Sequence, residues 1–379
     1  MFVDLYAIQN VPSSNINRDD TGSPKTAVYG GVQRARVSSQ AWKRAMRELF
    51  PELLDAKSLG VRTKLAVSLI AQRIEEKQPD LVEQAEELAA GVLSASGVEV
   101  KKTTRKGSDE GSLATDYLVF IGRTELEKLA DLAIQWHREG LTAAKADRQM
   151  KKDVADVFHG PQAVDVALFG RMLANSPDLN VDASAQVAHA ISVDKVVQEY
   201  DYFAAVDDCA ADDNAGAGML GTVGYNSSTL FRYATVNLDS LVQQLGDVQA
   251  AAEGLAAFVE AFVRSMPTGK QNTFANRTLP NAFSVAFREV QPINPVSAFE
   301  TPVAPVDGKS ISEQAICRLA RRLANIESTY DMPAAKAWCV LVDECDEGAA
   351  ECLGERVDLK ALVSNVKKTA NDILSGKEE

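Results

Sequence analysis

Apolar and polar residues alternate in short segments that lie far apart along the chain, and segments with helical periodicity separate them. Alternation predicts β-strands at residues 2–9, 157–174, 183–193, 229–237 and 281–289, with shorter ones at 117–121 and 338–342. Apolar spacings of three and four predict a helix from Ser38 or Ser39 onward, and further helices through most of 62–138, over 238–265 and in most of the chain after 305. Distant strands with a helical stretch between them predict an α+β fold, in which one sheet domain carries two large insertions.

The second predicted insertion, residues 194–224, differs in composition from the rest of the chain. It contains an aromatic pair, an acidic patch and four glycines. Such a composition is typical of an extended segment that protrudes from a domain and not of a core helix or strand.

Length, charge and cysteine content narrow the class of protein. The 379 residues correspond to about two domains or to one elaborated domain. The formal net charge of −13 argues against a protein that binds nucleic acid over its whole surface, so a basic cluster has to be sought locally. The five cysteines form no Cys-x-x-Cys pair and are interpreted as reduced thiols. No apolar run reaches the roughly 18 residues of a membrane span, and the first residues lack a signal-peptide layout. We therefore expect a cytoplasmic protein with no membrane partner.

The strongest chemical signal is a local reversal of charge between residues 18 and 47. Two acidic residues lie there, Asp19 and Asp20, among seven basic ones. The basic residues are Arg18, Lys25, Arg34, Arg36, Lys43, Arg44 and Arg47.

The predicted helix sorts part of this cluster onto one face. Four polar or basic residues share that face at positions i, i+3, i+4 and i+7: Gln40, Lys43, Arg44 and Arg47. Four apolar residues share the opposite face, which can pack on a sheet: Trp42, Ala45, Met46 and Leu49. A helix N-terminus favours anions, and the glycine pair at 30–31 lets a backbone approach a ligand. The pattern indicates an anion or nucleic-acid site, with an ordinary solvated basic face as the alternative.

Several blocks of the sequence, in this order, resemble one family. They are NRDD at 17–20, KTAVYGG at 25–31, RARVSSQAWKRAMR at 34–47, AVDVALFGRM at 163–172, DYFAAVDD at 201–208, LGT at 220–222 and PTGKQN at 267–272. The chain resembles the backbone subunit of Cascade, the type I-E CRISPR surveillance complex. The resemblance covers residues 2 to about 290, and the last ninety residues match less distinctively.

The resemblance implies a fold like a right hand. An RRM-like (ferredoxin-like) palm would comprise residues 1–59, 159–193 and 225–379, a helical fingers insertion 60–158 and an extended thumb 194–224. Such subunits polymerise along a guide RNA, and each thumb folds over the RNA of its neighbour and displaces a nucleotide at regular intervals. The bases between those positions stay exposed for pairing with target DNA. The implied partners are the guide RNA, target DNA, further copies of the chain and other Cascade subunits.

The resemblance also implies roles for particular residues. Seven would hold RNA phosphates: Arg18, Lys25, Ser38, Gln40, Lys43, Arg44 and Arg47. Contacts with phosphates hold a strand in place without reading its sequence. This kind of binding suits a subunit that must accept guides of any sequence. In the thumb, Tyr202 and Phe203 would wedge against displaced bases, with packing of the thumb's own base as the alternative. The remaining RNA-binding candidates are Val206, Thr222, Lys270 and Gln271. The fingers residues suited to double-stranded DNA are Lys145, Arg148, Lys151 and Lys152, for which a solvated face is the alternative.

Signals for catalysis are weak. The three histidines, at 137, 159 and 189, lack metal-ligand spacing, and the match to Gly-x-Gly-x-x-Gly at 216–221 falls in the thumb segment. We expect no enzyme activity, no metal and no cofactor. Two alternatives stay open. One is a metal-dependent CRISPR endoribonuclease that uses Asp19 or Asp20, although adjacent aspartates in a turn more often cap the backbone. The other is a monomeric single-strand-binding protein.

Overall fold

The structure is a computed structural model, and it describes residues 1–102, 113–141, 148–173, 175–205, 219–343 and 347–376. Within these ranges the strands are β1 Phe2–Ser14, β2 Thr26–Tyr29, β3 Val32–Val37, β4 Gly60–Thr63, β5 Val100–Lys102, β6 Leu113–Thr115, β7 Val119–Gly122, β8 Ala185–Val187, β9 Ala190–Ser192, β10 Glu199–Ala205, β11 Met219–Asn237, β12 Ala282–Arg288, β13 Lys336–Leu341 and β14 Glu355–Arg356. The α-helices are α1 Ser39–Leu53, α2 Ala66–Lys77, α3 Ala85–Ala95, α4 Arg123–Arg138, α5 Arg148–His159, α6 Val164–Phe169, α7 Leu238–Leu245, α8 Val248–Arg264, α9 Gln271–Phe274, α10 Ile311–Tyr330, α11 Glu347–Glu351 and α12 Leu359–Leu374.

The chain divides into two compact units. The first comprises Met1–Leu49, Gln186–Asn237 and Ala256–Lys367, and the second comprises Phe50–Ala185, Leu238–Leu255 and Lys368–Glu379. The predicted α+β class is confirmed, because a large mixed sheet and helices make up the fold. The finer division into an RRM-like palm, fingers and thumb remains a prediction.

The first unit is organised by one sheet with the strand order β14-β13-β12-β1-β11-β9-β3-β2. The central strand β1 pairs antiparallel with β11 on one side and β12 on the other. Residues 3–9 are all buried, so β1 is covered on both faces. On one face Tyr6, Ile8 and Phe231 pack with Phe299 and with α10 through Leu319. The loops at the ends of these strands are therefore anchored in a well-packed core.

Strand β11 is longer than the alternation at 229–237 predicts. Its second half lies in the sheet and is buried, whereas its first half pairs only with β10, from Glu199↔Tyr225 to Ala205↔Met219. Every residue of β10 is exposed. A hairpin that is solvated on both faces has no apolar alternation, and for that reason the sequence pattern did not reveal it.

In the second unit, α2, α3, α4 and α5 enclose an apolar cluster that includes Ile70, Leu93, Leu129 and Phe158. The prediction of a strand at 157–174 is wrong, because α5 and α6 lie there. Residues 164–168 are all buried, including the charged Asp165, so α6 lacks the 3.6-residue alternation of buried and exposed positions that marks a surface helix.

Helix α1 begins at Ser39, as predicted, and buries the predicted apolar face. Trp42, Ala45, Met46 and Leu49 are all buried. The ring of Trp42 stacks on the guanidinium of Arg232, with Cζ 3.7 Å from the ring centroid. Arg232 also donates to Gln9 Oε1 in β1 at 2.7 Å, so α1 is fixed to the sheet. Among the described residues, no helix is long and apolar enough to cross a membrane.

Candidate nucleic-acid interface

Three segments that are distant in sequence line one groove of the first unit, with a volume of about 580 Å³. The loop after β1 contributes Arg18 and Asp19, α1 contributes Arg44 and Glu48, and the loop before α9 contributes Gly269. The structure thus brings two predicted phosphate ligands, Arg18 and Arg44, to the same groove as the segment that carries Lys270 and Gln271.

Gly269 determines how the loop before α9 lies against the end of β1. A Cβ atom at this position would be 2.4 Å from the carbonyl oxygen of Ile16 and 2.7 Å from that of Asn15. Only glycine permits so close a backbone approach. The next residue, Lys270, has a φ of 51°, and Gln271 begins α9. Both candidate residues are half-buried and follow the groove-lining Gly269 in sequence.

Asn17 joins the basic loop to the start of α1. Its Oδ1 accepts a hydrogen bond from the backbone N–H of Ser38 at 2.8 Å, and its carbonyl oxygen accepts one from the N–H of Lys25 at 2.9 Å. The hydroxyl oxygen of Ser38 in turn accepts from the N–H of Ala41 at 3.3 Å and caps the helix. Ser38 is buried, so its observed contacts are those of an N-cap, and its contact with RNA remains a prediction.

The basic face of α1 is accessible in part. Gln40 and Arg44 are exposed, whereas Lys43 and Arg47 are half-buried. Arg44 donates through Nε to Glu48 at 2.8 Å, and this hydrogen bond raises the pKa of Arg44. Burial lowers the pKa of Lys43. Of the basic residues on this face, Arg44 thus pairs with an acidic side chain of the same helix.

Arg34, although part of the basic cluster in the sequence, is not a surface cation. Its side chain is fully buried and donates to five backbone carbonyl groups, of which that of Tyr29, at 3.2 Å, lies at the end of β2. Two belong to residues 192–193, at 2.9 and 2.8 Å, and two to residues 299–300, at 2.8 and 3.2 Å. Arg34 therefore fixes the turn between β2 and β3 within the first unit.

The hairpin of β10 and β11 carries the aromatic candidates on opposite faces. Tyr202 pairs with Thr222 and is 65% exposed, so its ring is available to a ligand. Phe203 pairs with Gly221, where a Cβ atom would lie 2.4 Å from the Phe203 ring, which shows that the ring covers the glycine. Tyr202 is thus presented outward, and Phe203 packs on its own hairpin. Val206 lies outside the described residues.

The hairpin and the basic loop are joined by a residue that sequence reasoning missed. Asn15 is fully buried, and its amide donates to the carbonyl oxygens of Gly22 and Gly224. The ring of Tyr225 also lies 5.7 Å from that of Phe274 in α9. An asparagine in a turn-rich stretch gives no signal of such long-range contacts.

Asp19, the first residue of the ribonuclease alternative, is engaged in a local turn. Its Oδ1 accepts hydrogen bonds from the N–H and hydroxyl of Thr21, at 2.9 and 2.7 Å, and from the N–H of Ser23 at 3.0 Å. These donors, the Thr21 hydroxyl above all, lower the pKa of Asp19. Asp20 is exposed. In the part of the chain that the structure describes, no group of three or more His, Cys, Asp or Glu side chains could hold a metal ion.

The candidate DNA-binding residues lie in the second unit. Arg148, Lys151 and Lys152 are exposed on α5, whose other face buries Met150, Val154 and Phe158. Lys145 lies outside the described residues. The arrangement is a solvent-facing basic stripe, and its DNA contact remains a prediction.

Comparison with solved structures gives the class of protein. A chain of the structure named "CRISPR RNA-guided surveillance complex, pre-nicking" is 35% identical, with a TM-score of 0.82, and the match covers 97% of this chain and 100% of that one. A chain of a second, named "CRISPR RNA-guided surveillance complex", is 32% identical, with a TM-score of 0.70, and the match covers 96% and 100% of the two chains. A search of curated protein sequences finds no significant match.

The family follows from the sequence itself. The chain belongs to the CT1975-like protein family, whose model matches residues 3–365. The predicted relation to CRISPR surveillance complexes is therefore confirmed, and a Cascade-related role is supported. The backbone position within the complex and the type I-E assignment remain predictions.

Proposed function

We propose that this protein is the non-catalytic backbone subunit of a type I-E Cascade complex, where it polymerises along the guide RNA and presents it for pairing with target DNA in antiviral defence. Its partners would be the guide RNA, target DNA, further copies of itself and the other Cascade subunits. It would act in the cytoplasm and would need no cofactor.

The observation that carries the proposal is the groove lined by Arg18, Arg44 and Gly269. Its cations come from a loop and a helix and lie beside a tightly docked glycine loop, and they can hold a phosphodiester backbone. The same groove also carries the carboxylates of Asp19, Asp20 and Glu48, so RNA would have to contact the cations and avoid these groups. The site needs no side chains that recognise particular bases, because guide RNAs differ in sequence. The likeness to surveillance-complex chains over almost the whole length supports the same role.

The hairpin supports the polymerising part of the proposal. An outward aromatic ring such as Tyr202 can stack on a base of a single strand without selecting its identity. Because β10 is exposed throughout, the hairpin could reach RNA held by a neighbouring copy. In the second unit, the exposed cations of α5 would contact the phosphates of the target duplex.

The endoribonuclease alternative is less well supported, because the side chain of Asp19 is already used by the turn it closes. A divalent ion would have to bind through Oδ2 of Asp19 or through Asp20, and among the described residues no group of three or more His, Cys, Asp or Glu side chains could hold one.

The proposal can be tested by fluorescence anisotropy with two single-stranded RNAs of unrelated sequence, in buffer with Mg²⁺, followed by a denaturing gel. We expect equal affinities, cooperative binding to RNAs long enough for several copies, and intact RNA after long incubation. Strand scission that disappears in Asp19→Ala or Asp20→Ala would establish the endoribonuclease instead. Binding to one sequence alone would contradict a guide-coating role.

A further inference from the structure

Beyond the groove, three basic side chains lie side by side at one end of the sheet. The strands β9, β3 and β2 are neighbours there. Arg36 of β3 pairs with Ile191 of β9, and its backbone N–H donates to the carbonyl oxygen of Lys25 at 2.9 Å. His189 directly precedes β9, and its Nδ1 lies 3.2 Å from Nη1 of Arg36. Lys25, Arg36 and His189 are thus contributed by three adjacent segments, and we call them the strand-end cluster.

The contact between Arg36 and His189 fixes the tautomer of the imidazole. A guanidinium group can only donate hydrogen bonds, so Nδ1 of His189 must be the acceptor. The ring proton of the neutral histidine then lies on Nε2. His189 is exposed, and it therefore offers an N–H donor to a ligand beside two cationic side chains.

No acidic side chain balances this cluster in the part of the chain that the structure describes. Arg36 donates through Nε to the carbonyl oxygen of Thr26 at 3.3 Å, and neither Arg36 nor Lys25 forms an ion pair there. The charged groups that act on the His189 ring are Arg36, from β3, and Lys25, from the segment before β2. The chain has a net charge of −13, yet none of its carboxylates pairs with these three donors among the described residues. A bound anion would supply the negative charge that the cluster lacks.

We propose that Lys25, Arg36 and His189 form a second anion subsite, which binds one phosphate of the RNA backbone. When that phosphate binds, His189 takes up a proton at Nδ1, the hydrogen bond from Arg36 to Nδ1 is lost, and the freed guanidinium N–H donates to the phosphate. The inference rests on the proposed function, because the ligand is RNA. It adds Arg36 and His189 to the RNA-contacting residues and makes the binding of RNA dependent on pH.

The direction of that dependence follows from charge. In the free protein, burial and then the charges of Arg36 and Lys25 lower the pKa of His189 from its ordinary value. A bound phosphate places an opposite charge beside the ring, and a charge within ~4–6 Å raises such a pKa by about 1–3 units. By linkage, each unit of that rise makes RNA bind about tenfold more tightly to the protonated protein. Affinity should therefore rise as pH falls from 8 towards 5.5.

The test is an NMR titration of the full chain labelled with ¹⁵N-histidine, with and without a short single-stranded RNA. His189→Gln assigns the signal, and the other two histidines are internal references. We expect the His189 midpoint to rise by about one unit or more on RNA binding, while the references stay in place. RNA that binds without moving the His189 midpoint would overturn the subsite and leave the proposed function intact. If RNA does not bind at all, the proposed function fails and the subsite fails with it.

Inorganic phosphate distinguishes an RNA subsite from a general anion site. At the same phosphate concentration, it should produce little of the shift that RNA produces. A full shift with inorganic phosphate would mean an adventitious anion only and would overturn the inference.

Two variants and a control extend the test. His189→Gln keeps an N–H donor but cannot be protonated, so we expect the gain in RNA affinity between pH 8 and pH 5.5 to disappear. Arg36→Gln should weaken RNA binding at both pH values and raise the His189 midpoint of the free protein. The exposed Lys336→Gln on β13 should change neither. A His189→Gln variant that keeps the full pH dependence would contradict the role of the ring.

Discussion

Asn15 donates through its side-chain amide to the carbonyl oxygen of Gly224 at 2.8 Å, and the same amide nitrogen donates to the carbonyl oxygen of Gly22 at 2.9 Å. One buried side chain thus fixes the base of the β10–β11 hairpin to the loop that carries Arg18 and Lys25. The contact thus connects the hairpin that carries Tyr202 with the loop that carries the candidate phosphate ligands Arg18 and Lys25.

We expect Asn15→Ala to lower the free energy of unfolding by about 1–3 kcal/mol, because the buried carbonyl group of Gly224 and the partly buried one of Gly22 lose their donor. Urea denaturation followed by circular dichroism measures the change. Asn272→Ala, at an exposed position of α9, is the matched control and should stay within about 0.5 kcal/mol. Equal stability of the two variants would show that the Asn15 hydrogen bonds do not hold the loop.

The basic face of α1 can be tested through the salt dependence of binding. Lys43→Ala combined with Arg47→Ala should weaken RNA binding whatever the sequence. It should also make the plot of log affinity against log salt shallower by about 0.7 for each RNA phosphate that the variant no longer neutralises. The matched control is Arg148→Ala with Lys151→Ala on α5, which should weaken double-stranded DNA binding only. An unchanged salt slope in the α1 variant would remove these two residues from the interface.

Gly269→Ala should displace the loop before α9, because the added Cβ atom would lie 2.4 Å from the carbonyl oxygen of Ile16. We expect a loss of stability of about 1–3 kcal/mol, as for an overpacked core position, together with weaker RNA binding. Gly348→Ala, where a Cβ atom would meet nothing within 4 Å, is the control for the added methyl group. Full affinity in Gly269→Ala would show that the groove tolerates a displaced loop.

The two aromatic residues of the hairpin should behave differently. Tyr202→Ala removes an exposed ring, so we expect RNA affinity to fall by about 1–3 kcal/mol with little change in stability. Tyr202→Phe keeps the ring and should keep the affinity. Phe203→Ala removes the cover of Gly221 and should mainly lower the stability of the hairpin, which amide hydrogen exchange reports. The opposite pattern would make Phe203 the stacking residue.

The elements that sequence reasoning predicted best are those whose pattern is local. The spacing of Trp42, Ala45, Met46 and Leu49 predicts the buried face of α1, and the N-terminal alternation predicts the central strand. The strand at 157–174 was wrong because α6, buried on all sides, has no amphipathic period. Contacts over long sequence distances leave no such pattern. The burial of Arg34 depends on carbonyl groups near residues 192 and 299, and the placement of His189 beside Arg36 depends on the pairing of β3 with β9.

The proposed function requires copies of this protein to coat a guide RNA at regular intervals without cutting it. Nuclease footprinting of a long single-stranded RNA, with protein titrated in and Mg²⁺ present, measures both properties at once. We expect evenly spaced accessible positions along intact RNA. A single irregular footprint, or scission of the strand, would rule out a non-catalytic guide-coating subunit.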